Sequence, residues 1–423
     1  MFPRRSRSLE LLKVPLESRI TRLAFVLSER FVALEDLRGF LVCFDLSGRR
    51  VWEEKVECSY PSALRLRVAR NRIWLDCRDR ILCFDFEGNE QPALVPPVRE
   101  NERVGQFVVG AQDVAVSLYR EENQFEEDAP DLDLCPRVMR LGADGDVRWQ
   151  TDLPVQRLSF SGVVSASAAT NWKAQPMAVW RPRSWTADCY VNDGLLLSGD
   201  VLLASYIDIS SGIGFSYALR WSNGQLLWTS EMCPYSFRGI NGVGSFIFSV
   251  LGYGESRTFV LDEHGENKGE WKRSGPFCVV GEGEVWLAEQ GQTTIQLCHA
   301  FVLGAGNTER QGARLSSYEG AQPALGEDGL IFWRAGQLLR VDSHGRKHVL
   351  NSSVGDPKSR VLSRMLLDEH GTLVFATAGV GAAYEDIESC LWIAREPLAP
   401  LGHTPWPCGE GNPQANPVWR ERL

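Results

Sequence analysis

Three features of the sequence predict an all-β chain folded as a single closed β-propeller of eight four-stranded antiparallel blades: a hairpin motif spaced at about 40 residues, a turn-to-strand marker that occurs eight times, and little helical periodicity. One degenerate repeat more or fewer would make nine blades or seven. The hairpin motif is an apolar run ending in a polar turn with Gly at its last position, followed by a second run that often carries Trp. It reads LVCFDLSGRRVWEE (41–54), ILCFDFEGNEQ (81–91), VMRLGADGDVRWQT (138–151), YALRWSNGQLLWTS (217–230), TFVLDEHGENKGEW (258–271) and LLRVDSHGRKHVL (338–350). Gly at the end of each turn tolerates positive φ, as hairpin turns demand. Gly48 and Gly88 are 40 residues apart, Gly224 and Gly265 are 41, and Gly265 and Gly345 are 80, or two periods.

The second marker lies upstream in each unit: ERFVALED (29–36), NRIWLDC (71–77), QDVAVSLY (112–119), GDVLLASY (199–206), GSFIFSV (244–250), GEVWLAE (283–289), DGLIFWR (328–334) and HGTLVFAT (370–377). No long stripe of apolar residues at i, i+3, i+4, i+7 follows the first twenty residues, which disfavours helical repeats of similar period. Residues 1–19 are set apart as an N-terminal segment and 20–423 as the propeller. Two stretches break the period. Residues 121–135 carry seven carboxylates and read as a solvated loop inserted in the third unit. Residues 155–193 form a second insertion that reads as a long loop over one face or as another, degenerate blade.

Composition bounds the function. The 45 basic and 54 acidic residues leave a net charge of −9, which disfavours general nucleic-acid binding, because phosphate recognition needs a positive field. Arg4, Arg5 and Arg7 begin the chain without the apolar run of an export signal, since Glu10, Lys13, Glu17 and Arg19 interrupt it. No apolar window is long enough for a membrane-spanning helix. The cysteines number eleven, and Cys43, Cys83, Cys278 and Cys298 sit inside strand-like apolar runs, as buried free thiols do. These readings place the protein in the cytoplasm, away from membranes.

The end of the chain, TPWPCGEGNPQANPVW (404–419), reads as an extended strap that fastens the ring across its last blade. Trp406 and Trp419 are its burying residues, and Asn412 and Gln414 are expected to bond free backbone. Trp406, Pro407, Gly411, Asn412, Pro413, Gln414 and Asn416 also resemble a segment that flanks bacterial propellers of the quinoprotein-like, or pyrroloquinoline-quinone-like, superfamily. The turn from Asp45 to Trp52 and GQLLWT (224–229) are similar to that superfamily's repeat, in which the Trp packs between blades. WD-repeat propellers compete less well, because the Gly-His and Trp-Asp pairing is missing.

The resemblance implies quinone-dependent dehydrogenases, which need a quinone, a Ca²⁺ held by carboxylate and amide oxygens, a catalytic Asp and in many cases adjacent cysteines. No Cys-Cys dipeptide occurs here, and fold alone does not carry function. Asp262 with His264, Asp342 with His344, and Asp368 with His370 read as hairpin-turn chemistry rather than as metal ligands, with His370 expected at the opposite end of the blades from the other two. No catalytic, cofactor-binding or metal-ligating residue is therefore assigned, and no cofactor is expected.

The partner-binding candidates are Trp172, Trp180, Arg181, Arg183 and Trp185 in the second insertion, because Trp buries large area and Arg makes forked hydrogen bonds at interfaces. Core residues of a degenerate blade would show the same pattern. The expected function is a non-catalytic scaffold that binds other proteins of a cytoplasmic bacterial multiprotein system. By resemblance to propellers encoded beside ATPase and von Willebrand-type modules, that system is a defence or conflict system. The alternative is a ligand-binding or enzymatic propeller that uses its central channel, as quinone-dependent dehydrogenases do.

Overall fold

The computed structural model describes residues 8–35, 38–57, 64–77, 79–100, 102–120, 136–154, 185–186, 195–208, 213–232, 236–251, 256–280, 283–289, 298–315, 322–379, 387–404, 406–409 and 411–419. Their strands form eight blades of antiparallel strands, and in seven of them the chain runs from the inner edge outward through all four strands. Blade 1 is Ile20–Leu27, Arg30–Glu35, Phe40–Asp45 and Arg50–Lys55; blade 2 is Leu66–Ala69, Arg72–Asp76, Ile81–Phe84 and Glu90–Leu94. Blade 3 is Glu102–Val109, Val114–Arg120, Arg137–Leu141 and Val147–Asp152; blade 4 is Leu195–Ser198, Val201–Asp208, Ile213–Arg220 and Leu226–Met232. Blade 5 is Ser236–Ile240, Phe246–Leu251, Ser256–Leu261 and Asn267–Trp271; blade 6 is Phe277–Val280, Glu284–Ala288, Cys298–Gly304 and Thr308–Leu315. Blade 7 is Ala324–Gly326, Gly329–Arg334, Gln337–Val341 and Lys347–Asn351, and blade 8 has Leu366–Leu367, Leu373–Thr377 and Ser389–Ala394. All eight turn-to-strand markers fall on second strands.

The outer strand of blade 8 comes from the other end of the chain. Leu11–Leu16 pairs with Ser389–Ala394 from Leu11 opposite Ala394 to Leu16 opposite Ser389. The propeller thus begins inside residues 1–19, which the sequence sets apart. A ring needs one blade shared between its chain ends, and a lone strand with alternating burial completes it.

In an up-and-down blade, the turns between strands one and two and between strands three and four fall on one face, here the turn face. Among the described residues, no turn on that face between strands one and two or between strands three and four exceeds five residues. The opposite, loop face carries the connections 121–136 and 153–194. The same topology corrects the histidine placement. His370 lies in a first-to-second-strand turn, and His264 and His344 lie in third-to-fourth-strand turns, so all three occupy the turn face, on blades 8, 5 and 7.

Blades 1 and 5 show how the hairpins work. Asp45 Oδ1 accepts from the amides of Ser47 (2.9 Å) and Arg49 (3.1 Å), and Asp262 Oδ1 accepts from His264 and Glu266 at 2.9 Å each. These bonds hold a turn whose fourth residue, Gly48 or Gly265, has positive φ. The Trp of one blade docks on the hairpin of the next. Trp52 Nε1 donates to Phe86 O (3.0 Å), Trp149 to Trp221 O (2.7 Å), Trp228 to Glu263 O (2.9 Å) and Trp271 to Thr308 O (3.0 Å). Each of the first three rings lies on the hairpin glycine: a Cβ would stand 2.8 Å from Trp52 at Gly88, 2.6 Å from Trp149 at Gly224 and 2.9 Å from Trp228 at Gly265. Close approach and positive φ therefore both select Gly.

These two requirements separate by mutation. Gly145 has φ of +85° and nothing within 4 Å of the place a Cβ would take, whereas Gly88 has φ of +89° and a ring in contact. Gly145→Ala should cost about 1 kcal/mol from backbone strain alone. Gly88→Ala should cost about 2–4 kcal/mol, because overpacking adds to the strain. Denaturant midpoints of the two variants measure the difference, and equal losses would refute the docking role of Trp52.

Candidate functional site at the propeller axis

The inner strands turn one edge toward the axis, and an open edge leaves backbone donors without partners. The C-terminal segment satisfies them. Trp406 O accepts from Val279 N of blade 6 (2.9 Å) and Pro407 O from Leu325 N of blade 7 (2.6 Å). Pro413 O then accepts from Phe25 N of blade 1 (2.9 Å), Gln414 O from Val68 N of blade 2 (2.8 Å) and Pro417 O from Leu197 N of blade 4 (3.0 Å). At blade 3 a side chain imitates a strand: Asn416 Oδ1 accepts from Val109 N (3.1 Å) and Asn416 Nδ2 donates to Val109 O (2.7 Å). Val418–Trp419 adds a parallel strand to the inner edge of blade 4. Leu401 N donates to Asp368 O of blade 8 (2.9 Å), and Trp406 packs with Ile240 of blade 5.

The segment therefore reaches past the last blade to all eight and lies across the axis toward the turn face. Trp406 is 2% exposed, and Trp419 is half-buried. Of the two residues expected to bond free backbone, Gln414 does so through its carbonyl. Asn412 instead turns the segment itself. Its Oδ1 accepts from the amides of Gln414 (3.1 Å) and Asn416 (3.0 Å), with Ala415 at φ of 59°, the geometry of the blade hairpins.

Arg364, just before the inner strand of blade 8, locks this segment in place. It is 1% exposed. Its guanidinium donates to Leu23 O twice (3.1 and 3.0 Å), to Gly409 O (2.5 Å), to Asn412 O (2.6 Å) and to Pro413 O (3.0 Å). A planar fork can span blade 1 and the tail at once, whereas an ammonium is a point donor. Further arginines lie buried along the same edge: Arg22 before Phe25, Arg65 and Arg67 around Leu66, and Arg238 in blade 5. Asp76, at the end of the second strand of blade 2, accepts from the Arg65 amide and faces the charges of Arg65, Arg67 and Arg22. Burial pushes its carboxyl up to about 7, against the pull of that amide and those guanidiniums.

At the loop face of blade 3, Arg137 and Glu102 form a buried forked pair, with Nε to Oε1 at 3.1 Å and Nη2 to Oε2 at 2.5 Å. Arg137 also donates to Pro97 O (2.9 Å), and its own carbonyl accepts from Tyr206 Oη (3.0 Å). These bonds brace the point where residues 121–135 rejoin the sheet. Tyr217 Oη donates to Pro154 O (3.0 Å), which braces the point where 155–193 departs.

Of the partner-binding candidates, Trp172, Trp180, Arg181 and Arg183 lie outside the described residues, as does the 121–135 loop. Trp185 is placed by its backbone. Trp185–Thr186 pairs with Asp208 and Ile207, prolonging the inner edge of blade 4 toward the loop face. Asn416 belongs to the tail motif, without a role assigned to it there, whereas Arg364 and Asp76 are not singled out by motif. Their visible signal is Arg inside apolar runs, as in TRLAF (21–25), LRLRVA (64–69) and SRMLL (363–367). The seven described cysteines are buried.

Among the described residues, no group of three His, Cys, Asp or Glu side chains is arranged to hold a metal. The polar groups buried along the inner edge include the guanidiniums of Arg65, Arg67 and Arg364, exposed by 1%, 0% and 1%.

Arg364→Met should destabilise the protein by about 3–5 kcal/mol, as breaking a buried charged network does. Arg364→Lys should recover little of that loss. Hydrogen exchange should show the Phe25, Val68 and Leu197 amides deprotected in both variants, and unchanged protection would refute the clamp. Asp76 yields a pH prediction. An acid whose folded pKa exceeds its unfolded value near 3.9 binds more protons folded than unfolded, so its contribution to stability falls as pH rises from about 4 to about 7 and is flat above. The stability of wild type relative to Asp76→Asn should fall across that window in urea titrations. A constant difference would show that Asp76 ionises normally.

No protein-family profile and no curated protein matches the sequence. Solved structures do match. The quinohemoprotein alcohol dehydrogenase from Comamonas testosteroni superposes with a TM-score of 0.55 over 94% of this chain and 78% of its own, at 9% identity. Virginiamycin B lyase from Staphylococcus aureus gives a TM-score of 0.44 at 13% identity, covering 77% of this chain and 95% of its own. The Neurospora crassa Pan2 WD40 domain gives 0.43 at 9% identity, covering 94% and 97%. At these identities the likeness concerns fold. The chain has the propeller fold that its resemblance to quinoprotein-like propellers implies, with eight blades closed around its own C-terminal segment.

Proposed function

We propose that the protein is a non-catalytic docking platform that binds another protein of a cytoplasmic bacterial assembly through its loop face. The observation that carries this reading is the asymmetry of the two faces. The described turns within blades on the turn face are held to five residues or fewer and the C-terminal segment that leaves this face is bonded down to the inner strands, while the acidic 121–135 segment and the Trp- and Arg-bearing 155–193 segment both leave from the loop face. A rigid ring that presents its long connections on one side has the form of a scaffold for binding loops. The C-terminal segment supports the reading by filling the axis and tying all eight blades together, so that the loop ends stand on a fixed frame. A role in a defence or conflict system follows only from the resemblance to propellers of such systems.

Affinity purification of the tagged protein from its own cells tests this reading, with wild type compared with a Trp180→Ala, Arg181→Ala, Arg183→Ala variant. A stoichiometric protein partner retained by wild type and lost by the folded variant is the expected result. Retention of an absorbing cofactor or a divalent ion with no protein partner would overturn it in favour of a dehydrogenase-like propeller.

A further inference from the structure

A cleft of about 370 Å³ opens on the turn face, where the C-terminal segment meets blades 8 and 1. One wall is the end of the blade 1 inner strand, and the other is the Asp368–Glu369–His370 turn of blade 8 together with Leu401–His403. Its lining contains two carboxylates and two imidazoles and neither Lys nor Arg. Leu27 presents an apolar side chain to it, 47% exposed.

Asp368 is 5% exposed, and its two oxygens differ. Oδ1 accepts from the amides of His370 (2.9 Å) and Thr372 (2.7 Å) and so holds the turn. Oδ2 is buried with no hydrogen-bond partner among the described residues. A buried carboxylate oxygen without a donor is costly, and a donor brought to it removes that cost. Glu369 stands exposed at the rim, with Oε1 3.7 Å from His370 Nε2.

We propose that this cleft binds a cationic group on an alkyl stem, an alkylammonium or alkylguanidinium. Its N–H groups go to Asp368 and Glu369, and its stem lies along Leu27. Long cationic side chains divide in this way between an apolar wall and a charged end. The site is on the face opposite the proposed docking surface and does not depend on that reading.

Calorimetric titration of the full-length protein at low salt and pH 8 tests the proposal. The probes are N-acetyl-lysine N-methylamide, N-acetyl-arginine N-methylamide, 1,4-diaminobutane and, as the uncharged control, N-acetyl-norleucine N-methylamide. The cationic probes should saturate with millimolar dissociation constants, at least about tenfold tighter than the control. Tightest binding of the diamine would identify a free amine as the ligand, and tightest binding of a blocked amino acid would identify a partner's side chain. Asp368→Asn retains the Oδ1 acceptor that holds the turn and should weaken binding about tenfold. Glu369→Gln alters an exposed residue, should leave the thermal midpoint unchanged, and should weaken binding severalfold. Absence of saturable binding, equal binding of the control, or affinities unchanged in both variants would overturn the proposal.

Discussion

The structure depends on the capping of inner strand edges at the axis. A ring of antiparallel blades hides its faces between neighbours, yet it leaves each first strand with an open side. The C-terminal segment closes those sides with its carbonyls at blades 1, 2, 4, 6 and 7 and with the Asn416 amide at blade 3. Open edges in a narrow channel are costly because backbone donors there compete poorly for water. The Pro-rich composition of the segment suits this task. Pro407, Pro413 and Pro417 have no backbone N–H that would need an acceptor and present carbonyls from a backbone with little freedom to lose.

At four of the interfaces between blades a Trp docks on the neighbouring hairpin. An indole that docks flat on a glycine turn also donates its N–H to a carbonyl of the same hairpin, so apolar area and a polar atom are satisfied together. Blade 8 follows a different solution. A Cβ at Gly48 would meet Val14 at 2.4 Å, so the outer strand supplied by the N-terminus abuts the first hairpin directly. The two ends of the chain thus fasten the ring at different radii, one at the rim and one at the axis.

Charge follows the same geometry. An acidic chain buries arginines at its axis because carbonyls of the tail and of the inner strands converge there. Arg364 donates five such bonds to carbonyls. Arg137 sits farther toward the loop face, where Glu102 is within reach, and forms an ion pair instead.

The repeat spacing and the eight turn-to-strand markers determined by themselves the class of fold and the position of every second strand and favoured eight blades over seven or nine, because each blade is a local meander whose turns leave a fixed pattern of Asp and Gly. The Trp and Gly of the hairpin motif were legible for the same reason. Tertiary structure decided what depends on contacts between distant segments. Leu11–Leu16 joins blade 8, Asn416 pairs with Val109, and Arg364 joins Leu23 to Pro413, all across hundreds of residues of sequence. Asn412 shows the boundary between the two. Its sequence marks a turn, as the hairpin Asp residues do, but only the closed ring sets that turn at the axis, where its neighbours' carbonyls meet the inner strands. The cleft beside Asp368 exists for the same reason, since its walls are three segments far apart in the chain that meet only when the tail is seated.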